Sequence, residues 1–194
     1  RIAFALGAIV AVMIAGSIVA IERVLTIKER VAWTTHTYEV LEALDGIMMG
    51  MVNQETALRG FLLTTEERSL NTFERGLEGY RASMNRAKTL TRDNPRVQRL
   101  LDELDAAATS WTNDHALRAI ALVRDPATVE EGRFLEASGE GKTLFDALRA
   151  RQAEIVAIEE GLLAERDAEK QAALSVTLRT LGATLVVAVL LALA

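Results

Sequence analysis

The sequence predicts an all-α protein: an antiparallel, up-down-up-down four-helix bundle whose first and fourth helices are continuous with two transmembrane helices. Three observations carry this expectation. No stretch alternates apolar and polar residues as a half-buried strand does. Four long segments instead place apolar residues in steps of three and four, the seam of a bundle helix. Both ends of the chain are uncharged and apolar, and an even number of helices returns the chain to the membrane face it left.

Residues 2–21 contain no charged side chain and no proline. At about 1.5 Å per residue they cover roughly 30 Å, the thickness of a bilayer's hydrocarbon core. A signal peptide has a shorter apolar region, about 7–15 residues, followed by a cleavage site. Here the run passes directly into a helix-compatible pattern. Residues 181–194 are equally apolar but fall short of the about 20 residues a span requires. They are expected to open a second transmembrane helix that continues past Ala194 toward an output region. The expected domains are therefore a transmembrane helix at 1–21, an extracytoplasmic bundle at 22–180 and a truncated second transmembrane helix at 181–194. Arg1 lies on one side of the anchors and Arg23, Lys28, Arg30 and Arg179 on the other. Long domains translocate largely regardless of such charges, so the extracytoplasmic placement rests on architecture.

Composition narrows the function. The chain has 27 acidic and 22 basic side chains, and of these only Arg1 lies outside the middle segment, which is mildly acidic with mixed signs. Nucleic acid is excluded as a partner, because it demands a basic stripe. There is no cysteine, hence no disulfide framework from which to read a compartment.

Taken in order, nothing breaks a helix between Ile21 and Leu62. Its seam runs through Trp33, Thr37, Val40, Leu44, Ile47 and Met51, then drifts through Met48, Glu55, Leu58 and Leu62. Such a helix reaches on the order of 60 Å from the membrane. Thr64 followed by Glu67 fits a capping box, so a second helix is expected from about Thr65. Its seam is Leu70, Phe73, Leu77, Tyr80, Met84 and Ala87. Asn94-Pro95 supplies a cap and a proline tolerated at the first helical position. The third helix follows with Val97, Leu101, Leu104, Ala108, Trp111, His115 and Leu122. Asp125-Pro126 repeats the device before a short segment to Ala137 that is compatible with a helix, and residues 138–141 form a turn or a loosened helix. The fourth helix starts near Lys142 and carries Leu144, Leu148, Ile155, Ile158 and Leu162.

Against this background the run ETALRGFLLT (from Glu55), the DNP at the close of the second helix, GEGKTLFDALR and EEGLLAER resemble the CHASE-type sensor domain, third subtype. The resemblance covers about residues 33–166. It implies an extracytoplasmic helical input module, flanked by two transmembrane helices, of bacterial sensor histidine kinases, diguanylate cyclases and chemoreceptors. It makes Glu55, Thr56, Arg59 and Gly60, with Glu159 and Arg166 of the distant E-x-x-LL-x-x-R, the signature residues.

The residues also have plainer readings. Glu55 and Arg59 are one turn apart and pair on one helix face, worth about 0.2–0.5 kcal/mol when exposed. Glu55 falls near the seam, where an unpaired charge is costly. A structural ion network near the first bend is the bland reading, and docking of a ligand carboxylate or amine the sharper one. Glu159 and Arg166 read as interhelical pairing. His115 occupies the seam one turn after Trp111, as a satisfied core histidine or, more sharply, a pH-responsive element. Met48, Met49 and Met51 read as adaptable core packing. Residues 139–143 evoke a phosphate loop, but Glu136 stands where that motif needs glycine and no strand precedes it. No serine–histidine–acid set, cysteine nucleophile, convergent carboxylate pair or metal-spaced histidines stand out, so no enzyme, cofactor or metal is expected within these residues.

The functional expectation is the sensory input half of a bacterial membrane receptor, two-pass in the inner membrane with residues 22–180 periplasmic. It works as a homodimer in the lipid bilayer, answers an unidentified small-molecule or protein stimulus, and relays it to a cytoplasmic output, a two-component histidine kinase first and a diguanylate cyclase next. Polar interruptions of the fourth-helix seam (Arg151, Glu165, Glu169) keep the packing marginal, which suits a relay. A chemotaxis receptor that binds a small molecule directly, and a membrane-tethered scaffold, are the competing classes.

Overall fold

The structure, a computed structural model, describes residues 2–193, with side chains at all of these save 2–6, 8, 9, 12 and 191–193. It is all-helical, with no strand among the described residues. The α-helices are α1 (Ile2–Thr64), α2 (Leu70–Leu90), α3 (Pro95–Ser110), α4 (Leu117–Arg124), α5 (Val129–Ala137) and α6 (Glu140–Leu193). A single 3₁₀ turn, Glu67–Ser69, precedes α2, and a π-helical segment, Trp111–Ala116, joins α3 to α4 without a break. The chain divides into two compact units, one of residues 1–37 with 161–194 and the other of residues 38–160.

In the first unit the opening stretch of α1 and the closing stretch of α6 pair antiparallel. Arg30 Nη1 meets Glu169 Oε2 at 2.9 Å, and Gly16 lies against Thr184. Apolar side chains on both stretches face outward, Met13, Ile14 and Ile18 on one and Leu181, Leu185 and Leu190 on the other. The α6 region contains an unburied window of mean hydropathy 1.9, long and apolar enough to cross a membrane. The expected spans at 1–21 and 181–194 rest partly on the side chains outside those described.

The second unit holds the core, which runs from Val40 to Ile155. The expected α1 seam is buried from Thr37 to Met51, but Trp33 is exposed and so is Met49. Met49 thus falls outside the core, because it points away from the Val40–Leu44–Ile47–Met51 stripe. Along α2 the seam is buried except for half-buried Leu77. Where α1 crosses α2 the two backbones touch. A Cβ on Gly50 would stand 2.6 Å from Tyr80 N, and one on Gly76 would stand 2.7 Å from Gly50 O.

The connections correct two expectations. α1 ends at Thr64 because Thr65 turns left-handed (φ 57°), donating its N–H to Phe61 O at 2.7 Å. Thr64 Oγ1 does accept from Glu66 N at 3.2 Å, but Glu67 pairs with Arg124 instead, by two bonds of 2.8 Å. No capping box forms, and α2 starts five residues late. Pro126 lies in the turn before α5, not at its first helical position, with Asp125 Oδ1 accepting from Ala127 N at 2.9 Å. Asn94-Pro95 behaves as the sequence implies, since the Asn94 side chain accepts from Val97 N and Pro95 opens α3.

Candidate functional site

Glu55 and Arg59 lie on one face of α1, with Arg59 Nη2 at 3.0 Å from Glu55 Oε1. Arg59 also reaches α5, where its Nε donates to Glu136 Oε1 at 3.1 Å. The other Glu136 oxygen is 3.0 Å from Nε2 of His115, a side chain only 1% exposed. One carboxylate therefore ties α1, α5 and the π-helical segment together. The hydrogen bond with His115, ahead of that from Arg59, holds the Glu136 carboxyl below the usual carboxylate value of 4.5, against the upward push of its partial burial.

The π segment resets the buried seam between α3 and α4. Its wider turn admits one extra residue, so Trp111, Thr112, His115 and Ala116 are all buried. It also shifts the seam beyond it. Val123 is buried in place of the expected Leu122, which is half-buried. Trp111 packs edge-on to Phe145 of α6 at 5.4 Å and lies 6.2 Å from the His115 ring. Thr112 Oγ1 donates to buried Gln54 Oε1 at 3.4 Å. Arg149 stacks over Phe145 at 4.7 Å, with Nη2 3.9 Å from Glu55 Oε2.

Behind His115 stands Gly141. A Cβ there would lie 2.1 Å from His115 Nε2, so this glycine of the GEGKT run gives the imidazole its room. His115 Nδ1 is buried without a hydrogen-bond partner among the described residues. That leaves an unmatched polar nitrogen in the core.

Beside Arg59 a cavity of about 350 Å³ opens between α1 and α5. Its polar groups are Arg59, Arg133 and Glu136, and its remaining wall is Leu62, Leu63 and Ala137. Arg133 is steadied by Nε donating to Leu62 O at 3.3 Å and Nη1 to Glu130 at 3.0 Å.

The CHASE3 domain family model matches residues 30–169, most of the chain. This protein belongs to the CHASE3 domain family. The crystal structure of the Rhodopseudomonas palustris histidine kinase HK9 sensor domain has the same fold, with a TM-score of 0.59 and 23% identity, covering 66% of this chain and 98% of that one. No curated protein matches the sequence.

Within this CHASE3 chain the candidate residues read from sequence do not form one site. Glu55, Arg59, Trp111 and His115 share the cluster just described. Thr56 is exposed, and Gly60, which has no side chain to contribute, is half-buried. Glu159 is buried on α6 at 4% exposure. Arg166, in the other unit, donates to Trp33 O at 3.3 Å and to Thr37 Oγ1, with its guanidinium 5.2 Å from the Trp33 ring. The residue that unifies the cluster, Glu136, was not singled out for it from sequence, nor were Arg133, Phe145 and Arg149. Phe145 had a signal: Gly141, Phe145, Leu148, Gln152 and Ile155 follow steps of four and three, a cleaner seam than one begun at Leu144.

Proposed function

We propose that this chain is the sensory input module of a bacterial membrane receptor, carrying an extracytoplasmic stimulus across the membrane to a cytoplasmic histidine kinase of a two-component system. The observation that carries this is the CHASE3 match over residues 30–169, a sensor-domain family. Support also comes from the outward-facing apolar side chains of the 1–37 and 161–194 unit, which suit hydrocarbon better than water. On this reading residues 1–21 and 181–194 belong to transmembrane helices, residues 22–180 form a periplasmic four-helix bundle, and the receptor is a two-pass homodimer of the inner membrane. Small shifts between packed helices are enough to switch such an output.

Two experiments test it. The chain has no cysteine, so exposed Ala82→Cys provides a single reporter. A membrane-impermeant maleimide should label it in intact spheroplasts; labelling only after lysis would overturn the periplasmic placement. For the relay, the chain is joined to a histidine kinase core through added apolar residues that complete the second span after Ala194, and alanines are inserted one at a time near residue 180. Each insertion turns α6 by about 100°, so autophosphorylation should oscillate with helical phase. A flat response would reject the relay and leave a tethered scaffold.

One observation favours the chemoreceptor-like variant in which a small molecule binds this chain directly. It is the cavity beside Arg59, connected through Glu136 to the buried His115.

A further inference from the structure

We propose that the cavity between α1 and α5 takes a small amphipathic carboxylate, its head on Arg59 and Arg133 and its carbon chain on Leu62, Leu63 and Ala137, in competition with Glu136 for Arg59. The size suits this class, since small-molecule sites start at about 300 Å³. The charges select the sign. Two guanidiniums face the space, the one carboxylate lining it already serves Arg59 and His115, and Glu55 and Glu130 hold the arginines from outside the lining. A cationic ligand would face both arginines and find the acid occupied.

The wall selects the body. Apart from those three groups it is aliphatic, so a sugar or a free phosphate would leave its hydroxyls or oxygens against carbon. A carboxylate matches the forked donors of arginine, and an alkyl chain gains by leaving water. The arginines are prepared rather than spent. Arg133 is held by a backbone carbonyl and by Glu130, a carboxylate 85% exposed and therefore a weak competitor. Arg59 is held by Glu55 on its own helix, so it stays in place when Glu136 yields.

The exchange has a built-in readout. Glu136 Oε1 is on Arg59 and Oε2 on His115, so a ligand that takes the first bond leaves Glu136 attached to the π segment alone. Occupancy would therefore loosen the tie between α5 and α1 while sparing the one to His115. This consequence rests on the sensory reading above; the binding itself does not.

The test is calorimetric titration of the full chain in nanodiscs with hexanoate, subtracting empty discs, and with hexanamide as the neutral isostere. Hexanoate should bind saturably at one site per chain and hexanamide should not. Exposed Arg133→Gln should weaken hexanoate at least about tenfold, the effect of losing one charge-assisted contact. Glu136→Gln should tighten it severalfold, because the internal competitor is gone. Equal binding of the amide, no saturable heat up to about 10 mM (the weak end of specific binding), or indifference to Arg133→Gln would each overturn the proposal. Binding without any change in the kinase fusion would uphold the cavity and count against the relay.

Discussion

Glu136 shows how much a single side chain can hold. It accepts from Arg59 across α1 and α5 and from His115 in the core, and these bonds depress its pKa in the folded protein. A depressed carboxyl contributes its stability above the unfolded value, near 4.5, and loses it as pH falls through the lower folded value. Glu136→Gln should therefore lower stability at neutral pH by about 1–2 kcal/mol, the worth of a charged hydrogen bond. The gap between variant and parent should narrow as pH falls below 4.5 in thermal melts at stepped pH; a constant gap would show that Glu136 acts by shape alone. Gly141 sets the second prediction at this scale. Gly141→Ala drives a methyl into the His115 ring and should cost about 1–3 kcal/mol, the range for overpacking. Retained stability with Trp111 fluorescence unchanged would contradict that packing. Neither residue advertised its role. Glu136 bonds to partners 77 and 21 positions away, and no local periodicity encodes such a bond.

Among the elements, the helices were legible because apolar spacing is a local signal, and Asn94-Pro95 because a cap acts within one turn. The short α5 was legible as a helix but not as the carrier of the linking acid. The π segment was not legible, since its one extra residue makes sense only when both flanking stripes must meet the same core. That suggests a deletion experiment. Removing exposed Asn113 should let Trp111–Ala116 close into an ordinary α-helix and restore an unbroken step of three and four from Leu104 to Val123. Helical content should then be kept and the midpoint shift by only a few degrees, about what 1 kcal/mol produces in a chain of this size. Removing exposed Asn85 from α2, where no slack exists, should rotate Ala87 and the Leu90 turn out of the core and abolish cooperative melting. Equal tolerance of the two deletions would show that the π turn stores no spare residue.

For the whole molecule, the division into two units has a direct corollary. Among the described residues, every member of the hydrophobic core lies within 38–160, so that segment expressed alone should fold cooperatively and keep Trp111 buried. Circular dichroism with fluorescence-monitored urea melts would check it, and a broad, non-cooperative transition would show that the core depends on the remaining residues. Inside that unit the seams are not equal. Most are side chains in contact, and α5 is joined to α1 by hydrogen bonds that a competing ion could break. The crossing of Gly50 and Gly76 is different: main chain rests on main chain, with no side chain between to change rotamer. Such a joint behaves as a rivet. Sliding α1 along α2 would drive the next residue's Cβ into a peptide group, so motion within the unit must pivot about this point and be taken up where the bonds are exchangeable.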